Sequence, residues 1–266
     1  MNRRAAALCL ALVLTSALPS AAEEGSTNEL IALTDLAQEL ALDIEENRRY
    51  LLALCAASPK CLPFGEELAT AVKEASQDLR LGPMVRPMVD EMLEVMPKEY
   101  HQDLFAFLRS PVGLRVVELE RLGRSPGNRA LLAAEGAEIY SRLTDDRIFL
   151  FEDLDSRGDG AAGLRGLDRF ALRIVEWLER RADARGLSAA ASQAQAAPDR
   201  GSHIYHQWLA IAYEPMADEE LQQYTDFLAT QAGEHWSKTR NEIRRHAVRE
   251  ASEPILDRLV ETIGED

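Results

Sequence analysis

Beyond Leu14 the sequence has no apolar run long enough to cross a bilayer, which takes about 20 such residues, so no transmembrane span is expected. Glycine, proline and cysteine are sparse, at 15, 11 and 3 of 266 residues, and aromatics make up 6%. That composition fits an all-α class. No Gly-rich phosphate loop, nucleophile elbow or His-Glu-x-x-His is found, which removes the usual sequence signs of nucleotide, serine-hydrolase and zinc-protease chemistry. Cations are also in deficit, with 30 Lys and Arg against 45 Asp and Glu and a formal charge of −15. Such a balance disfavours nucleic acid and anionic membrane surfaces as partners. Acidic pairs are so frequent that carboxylate proximity says nothing about general acid and base work, and no cofactor is implied.

What is present begins with a secretory signal over 1–22. Arg3 and Arg4 form its charged start, Ala5 to Leu14 its apolar run, and Ser20, Ala21 and Ala22 its small-residue cleavage site. Its loss would take the formal charge from −15 to −17, because both arginines leave with it. The reading is therefore of a periplasmic protein. Two cysteines survive maturation, Cys55 and Cys61, on either side of the Ser58-Pro59 break. In an oxidising compartment they favour a structural disulfide pinning a helical hairpin, over two free thiols or a redox pair, for which the tighter Cys-x-x-Cys spacing is usual.

Apolar spacing predicts a helix from a capping box at Ser26 to Glu29 through Leu30, Leu33, Leu40 and Ile44 to about Cys55, and another starting near Glu66. Ser125-Pro126 opens a further helix to about Phe151. The segment 156–163 reads as a turn-rich junction between a first helical unit, 23–155, and a second, 164–266. Its Asp-x-Asp-x-x-Gly order is short of a calcium loop, because Arg157 and Leu164 occupy ligand positions. Within the second unit, 187–202 is Ala-, Ser- and Gln-rich and reads as a low-complexity linker. Pro254 is expected to kink or restart the last helix.

The two units share a motif. Shifting by 120 positions places Glu94 on Glu214, Met96 on Met216, Glu99 on Glu219, Gln102 on Gln222, Phe107 on Phe227, Leu108 on Leu228 and Gly113 on Gly233. Each copy reads as helix, sharp corner, helix. Phe107 and Phe227 anchor the inside of the bend, Ser110 and Thr230 cap the helix that follows, and Gly113 and Gly233 let the backbones approach. An acidic lead-in followed by Phe-x-x-Ser/Thr-x-x-Gly resembles the bacterial family called domain of unknown function 2059, small exported helical proteins. The repeat implies an all-α fold of two tandem related helical units; the resemblance implies a helical protein exported to the bacterial envelope, and no activity or site residues.

Three functional readings stay open. The leading one is a non-enzymatic interaction or binding module whose partner is an envelope protein or a small ligand. The second is divalent-metal binding or metal-assisted hydrolysis around His203 and His206, three apart on a predicted helix, with His235 or Glu214 as conceivable further donors. The third is a small-molecule pocket between the helical units. The basic band Lys238, Arg240, Arg244, Arg245 and Arg249 is expected to pair with the protein's own carboxylates. Met88, Met92, Trp208 and Trp236 read as core packing. Oligomeric state is left open.

Overall fold

A computed structural model describes residues 27–187 and 202–264, and within them the chain is all-α. The signal expected over 1–22 and most of the linker expected over 187–202 lie outside the described residues. The helices are α1 (Thr27–Thr34), α2 (Leu36–Ala57), α3 (Gly65–Asp78), α4 (Leu81–Val95), α5 (Lys98–Arg109), α6 (Pro111–Gly123), α7 (Pro126–Ser141), α8 (Asp145–Gly158), α9 (Gly160–Arg185), α10 (Ser202–Ala212), α11 (Asp218–Leu228) and α12 (Gln231–Ile263). No described helix is long and apolar enough to cross a membrane.

Helix starts follow local chemistry. Ser110, Ser125, Thr144 and Thr230 each accept a hydrogen bond from the backbone N–H three residues on, at 3.0, 3.3, 3.3 and 3.0 Å, satisfying one of the donors a helix leaves open at its start. Two expected helices are each split. The one running to Cys55 breaks at Asp35, which takes a left-handed conformation at φ 50°, a state a short polar side chain tolerates. Leu30 and Leu36, on either side of the break, are both fully buried. The helix from Pro126 stops at Ser141 because Thr144 caps a new one. Conversely, α12 runs unbroken through Pro254. At the offset of 120, α12 covers the span that Ser125 and Pro126 divide into α6 and α7.

The expected junction over 156–163 shrinks to one residue, Asp159 at φ 50°, with the last turn of α8 before it and the first turn of α9 after it. The glycines there serve close helix contact rather than a loop. A Cβ on Gly160 would lie 2.2 Å from the Tyr205 hydroxyl of α10. Nor do the two halves keep separate cores. Leu40, Met92, Leu104 and Phe105 share one buried cluster with Leu209, Tyr224, Trp236 and Val248. Leu51 and Leu68 share another with Ile174, Leu178 and Leu259.

The two corners meet face to face. Phe107 stacks on Phe227 with ring centroids 3.9 Å apart and planes within 1°. Two further pairs of residues 120 apart also touch: the Asn47 side chain donates to the Leu167 carbonyl at 2.7 Å, and Arg240 pairs with Glu120. Off these points contacts are exchanged. Tyr100 faces His235 at 6.3 Å between ring centroids, and Arg115 pairs at 2.8 Å with Glu220, the residues 120 beyond Tyr100 and before His235 trading sides. Exchange of i with j about shared self-contacts is the pattern of a two-fold axis.

Both corners are as tight as a backbone allows. A Cβ on Gly113 would lie 2.0 Å from the Phe107 carbonyl oxygen, and one on Gly233 the same distance from that of Phe227. Cys55 and Cys61 are joined in a buried disulfide, Cα to Cα 5.0 Å, which ties the end of α2 to the 3-10 turn before α3.

Two outcomes follow from these contacts. Gly113→Ala and Gly233→Ala should each lower unfolding free energy by roughly 2–3 kcal/mol, because the obstructing atom is backbone. Gly65→Ala, which meets nothing within 4 Å, should be neutral or slightly stabilising; urea midpoints of the three variants check this. Reduction of the disulfide should cost about 2 kcal/mol in the same assay, as expected for so short a loop.

Candidate functional site

The i, i+3, i+7 spacing puts Asp43, Glu46 and Tyr50 on one face of α2, and Trp236, Arg240 and Arg244 occupy one face of α12. These faces, with Ile204, Tyr205, Trp208 and Leu209 of α10, enclose a cavity of about 380 Å³. Glu120 and Arg124 of α6, with Tyr213 and Tyr224, complete its wall. The volume lies in the range of roughly 300–1,000 Å³ common for small-molecule sites.

A buried network of ion pairs backs the cavity. Arg244 grips Asp43 with two bonds, Nε to Oδ2 at 2.6 Å and Nη2 to Oδ1 at 3.0 Å. Arg124 reaches Glu39 at 2.8 Å and Asp43 at 3.2 Å. Arg240 bridges Glu39, 2.9 Å away, and Glu120. The other Glu120 oxygen accepts from the Tyr213 hydroxyl at 2.9 Å and the Tyr224 hydroxyl at 3.2 Å. None of the six charged side chains is more than 18% exposed.

Burial by itself would raise the Glu39 pKa, but the nearby guanidiniums of Arg240, Arg124 and Arg244 outweigh it and hold the carboxyl at about 2. Glu120 is also lowered: burial pushes it up, and Arg240 pulls it further down. Burial, reinforced by the charge of Glu120, pushes Tyr205, Tyr213 and Tyr224 upward. These phenols remain neutral donors. Arg124 also lies over the Trp208 ring and Arg240 over that of Trp236, at 5.8 and 5.9 Å from the centroids.

The basic band is satisfied internally, as the acid excess led one to expect. Besides Arg240 and Arg244, Lys238 pairs with Glu234, Arg249 with Glu250 and Glu253, and Arg245 lies 4.0 Å from Glu242.

The residues proposed for metal binding are not assembled. His206 Nε2 lies 2.9 Å from Asp155 Oδ2, whose other oxygen accepts from the Ala161 backbone N–H, so this pair fastens α10 to the α8–α9 corner. His203 and Glu214 are exposed, and His235 packs beside Tyr100. Among the described residues no three His, Cys, Asp or Glu side chains gather as metal ligands. Phe107, Ser110, Gly113, Phe227, Thr230 and Gly233 build the paired corners and none of them lines the cavity. Trp208 and Trp236, read from the sequence as packing, also wall it.

A sequence signal for the cavity existed. Tyr205, Trp208, Tyr213, Tyr224 and Trp236 stand 120 positions after Val85, Met88, Leu93, Leu104 and Val116. Of the six aromatic liners, all but Tyr50 stand 120 positions after an aliphatic residue.

The pKa directions set an acid response. A carboxyl whose folded pKa is depressed contributes stability that is present above its unfolded value, near 4.5, and is lost as pH falls through its folded value. For Glu39, held at about 2, the loss should fall between about pH 4.5 and pH 2 and amount to about 3 kcal/mol. Glu39→Gln should flatten that part of a pH series of urea midpoints and lower stability at pH 7 by about 3–5 kcal/mol, because it strands buried guanidiniums.

In comparisons with known proteins the chain matches no family model, no curated protein and no solved structure.

Proposed function

We propose that this protein is a non-enzymatic binding protein of the bacterial envelope that holds a small molecule in the cavity between α2, α10 and α12. The observation that carries the reading is the cavity itself, about 380 Å³ and walled by six aromatics, five of which stand 120 positions after an aliphatic side chain. A protein that needed only a packed core would gain nothing from that exchange; rings that wall an unfilled space suit a ligand. Asp43, Glu120, Arg124, Arg240 and Arg244, which line the cavity, are committed to buried ion pairs, which favours holding a molecule over transforming it.

Export and ancestry belong to the same proposal. The charged start, apolar run and small-residue site over 1–22 support secretion to the periplasm, and the Cys55–Cys61 disulfide suits an oxidising compartment. The 120-residue offset and the exchanged contacts support two related units, and the motif's resemblance to the domain of unknown function 2059 family fits a helical exported protein.

Native mass spectrometry of protein purified from its own host tests both parts. The expected spectrum shows a chain beginning at Glu23 and an added small-molecule mass that denaturation releases. A bare chain with no such adduct, and no thermal shift with a metabolite extract of the same cells, would count against the binding role. Retention of residues 1–22 would count against export.

A further inference from the structure

This inference rests on the binding reading above and concerns the chemical class of the ligand. The end of the cavity against the ion network is already neutral. Arg124, Arg240 and Arg244 face Asp43 and Glu120 in the wall and Glu39 behind it, three cations against three anions, and the two further charged liners, Glu46 and Arg49, are of opposite sign. Their hydrogen-bonding capacity is also largely spent. Both Asp43 oxygens are held by Arg244, one Glu120 oxygen takes two phenol donors and the other takes Arg240.

An anionic ligand reaching this end would sit against Asp43 and Glu120, and could win a guanidinium only by parting it from its carboxylate. An ammonium would face three guanidiniums and meet the same obstacle in reverse. Either would leave an uncompensated charge in a desolvated space. A neutral molecule disturbs nothing. The surfaces left to it are rings: Tyr205 and Trp208 stack on each other, centroids 5.6 Å apart and planes 22° from parallel, with Leu132 and Leu164 also in the lining. Flat apolar bodies pack well on such walls.

We propose that the cavity takes an uncharged, ring-containing small molecule, and discriminates against carboxylates, phosphates and amines. The balanced network acts as the filter: its charges are already matched to one another and leave no net charge to offer an ion.

The test uses three probes with one ring body: 2-naphthalenemethanol, 2-naphthoate and 2-naphthylmethylammonium, titrated calorimetrically at pH 7 into the purified protein and into Ala53→Trp. Ala53 lines the cavity on α2, ten residues beyond Asp43, where an indole would occupy the space. The alcohol should bind at least tenfold more tightly than either ion, with little dependence on salt, and Ala53→Trp should weaken it at least tenfold while retaining the helical circular dichroism of the parent. If the naphthoate or the ammonium binds as well as the alcohol, the class assignment is overturned and the binding site stands. If no probe binds, or the alcohol binds Ala53→Trp as well as the parent, the cavity is not a ligand site and both readings fall. Should Ala53→Trp lose its helical signal, Leu164→Trp, which enters the same cavity from α9, takes its place with the same expected loss.

Discussion

Six ionised side chains buried between α2, α6 and α12 can be tolerated only as a complete set, because each would otherwise bear the cost of leaving water alone. Glu39 and Asp43 come from α2, Glu120 and Arg124 from α6, and Arg240 and Arg244 from α12. Within each pair the two members are four residues apart and share a face. Arg240 and Arg244 of α12 match Glu39 and Asp43 of α2, whereas Glu120 and Arg124 packed against either helix alone leave charges unpaired, so the network dictates the register of all three more strictly than apolar contact would. It also explains how a chain with so large an acid excess can bury carboxylates.

Around that network the two corner motifs give the molecule its near-symmetry. Phe107 on Phe227, Asn47 on Leu167 and Glu120 on Arg240 are each residues 120 apart, so equivalent positions meet themselves. The third pair is the informative one. A residue that contacts its own counterpart across a two-fold axis would repel it if the two were identical charges; here one copy carries Glu and the other Arg. Opposite charges at that point make it the centre of the ion network.

A difference between positions 120 apart accompanies the cavity. Aliphatic Val85, Met88, Leu93, Leu104 and Val116 have as counterparts Tyr205, Trp208, Tyr213, Tyr224 and Trp236. Rigid rings cannot fold back to fill irregular gaps as Met and Leu do, and three of the rings are phenols, two of which are turned toward Glu120 by hydrogen bonds. Rings fixed by polar anchors leave a space between α2, α10 and α12.

Most of the helices, the caps at Ser110, Ser125 and Thr230, the sharp corners at Gly113 and Gly233, the Cys55–Cys61 pair and the internal neutralisation of the basic band were legible in the sequence. Each depends on residues a few positions apart or on overall charge balance, and such short-range chemistry is written locally. The break at Asp35, the collapse of the 156–163 junction to one left-handed residue, and the pairing of His206 with Asp155 were not. Neither was the cavity, whose walls come from α2, α6, α10 and α12 and whose ion pairs join residues as far as 201 positions apart. Periodicity says which face of a helix is apolar and not which other helix will cover it. The partner of each face was decided by the tertiary structure, where buried charges must find opposite charges and where rings too stiff to collapse hold the cavity open.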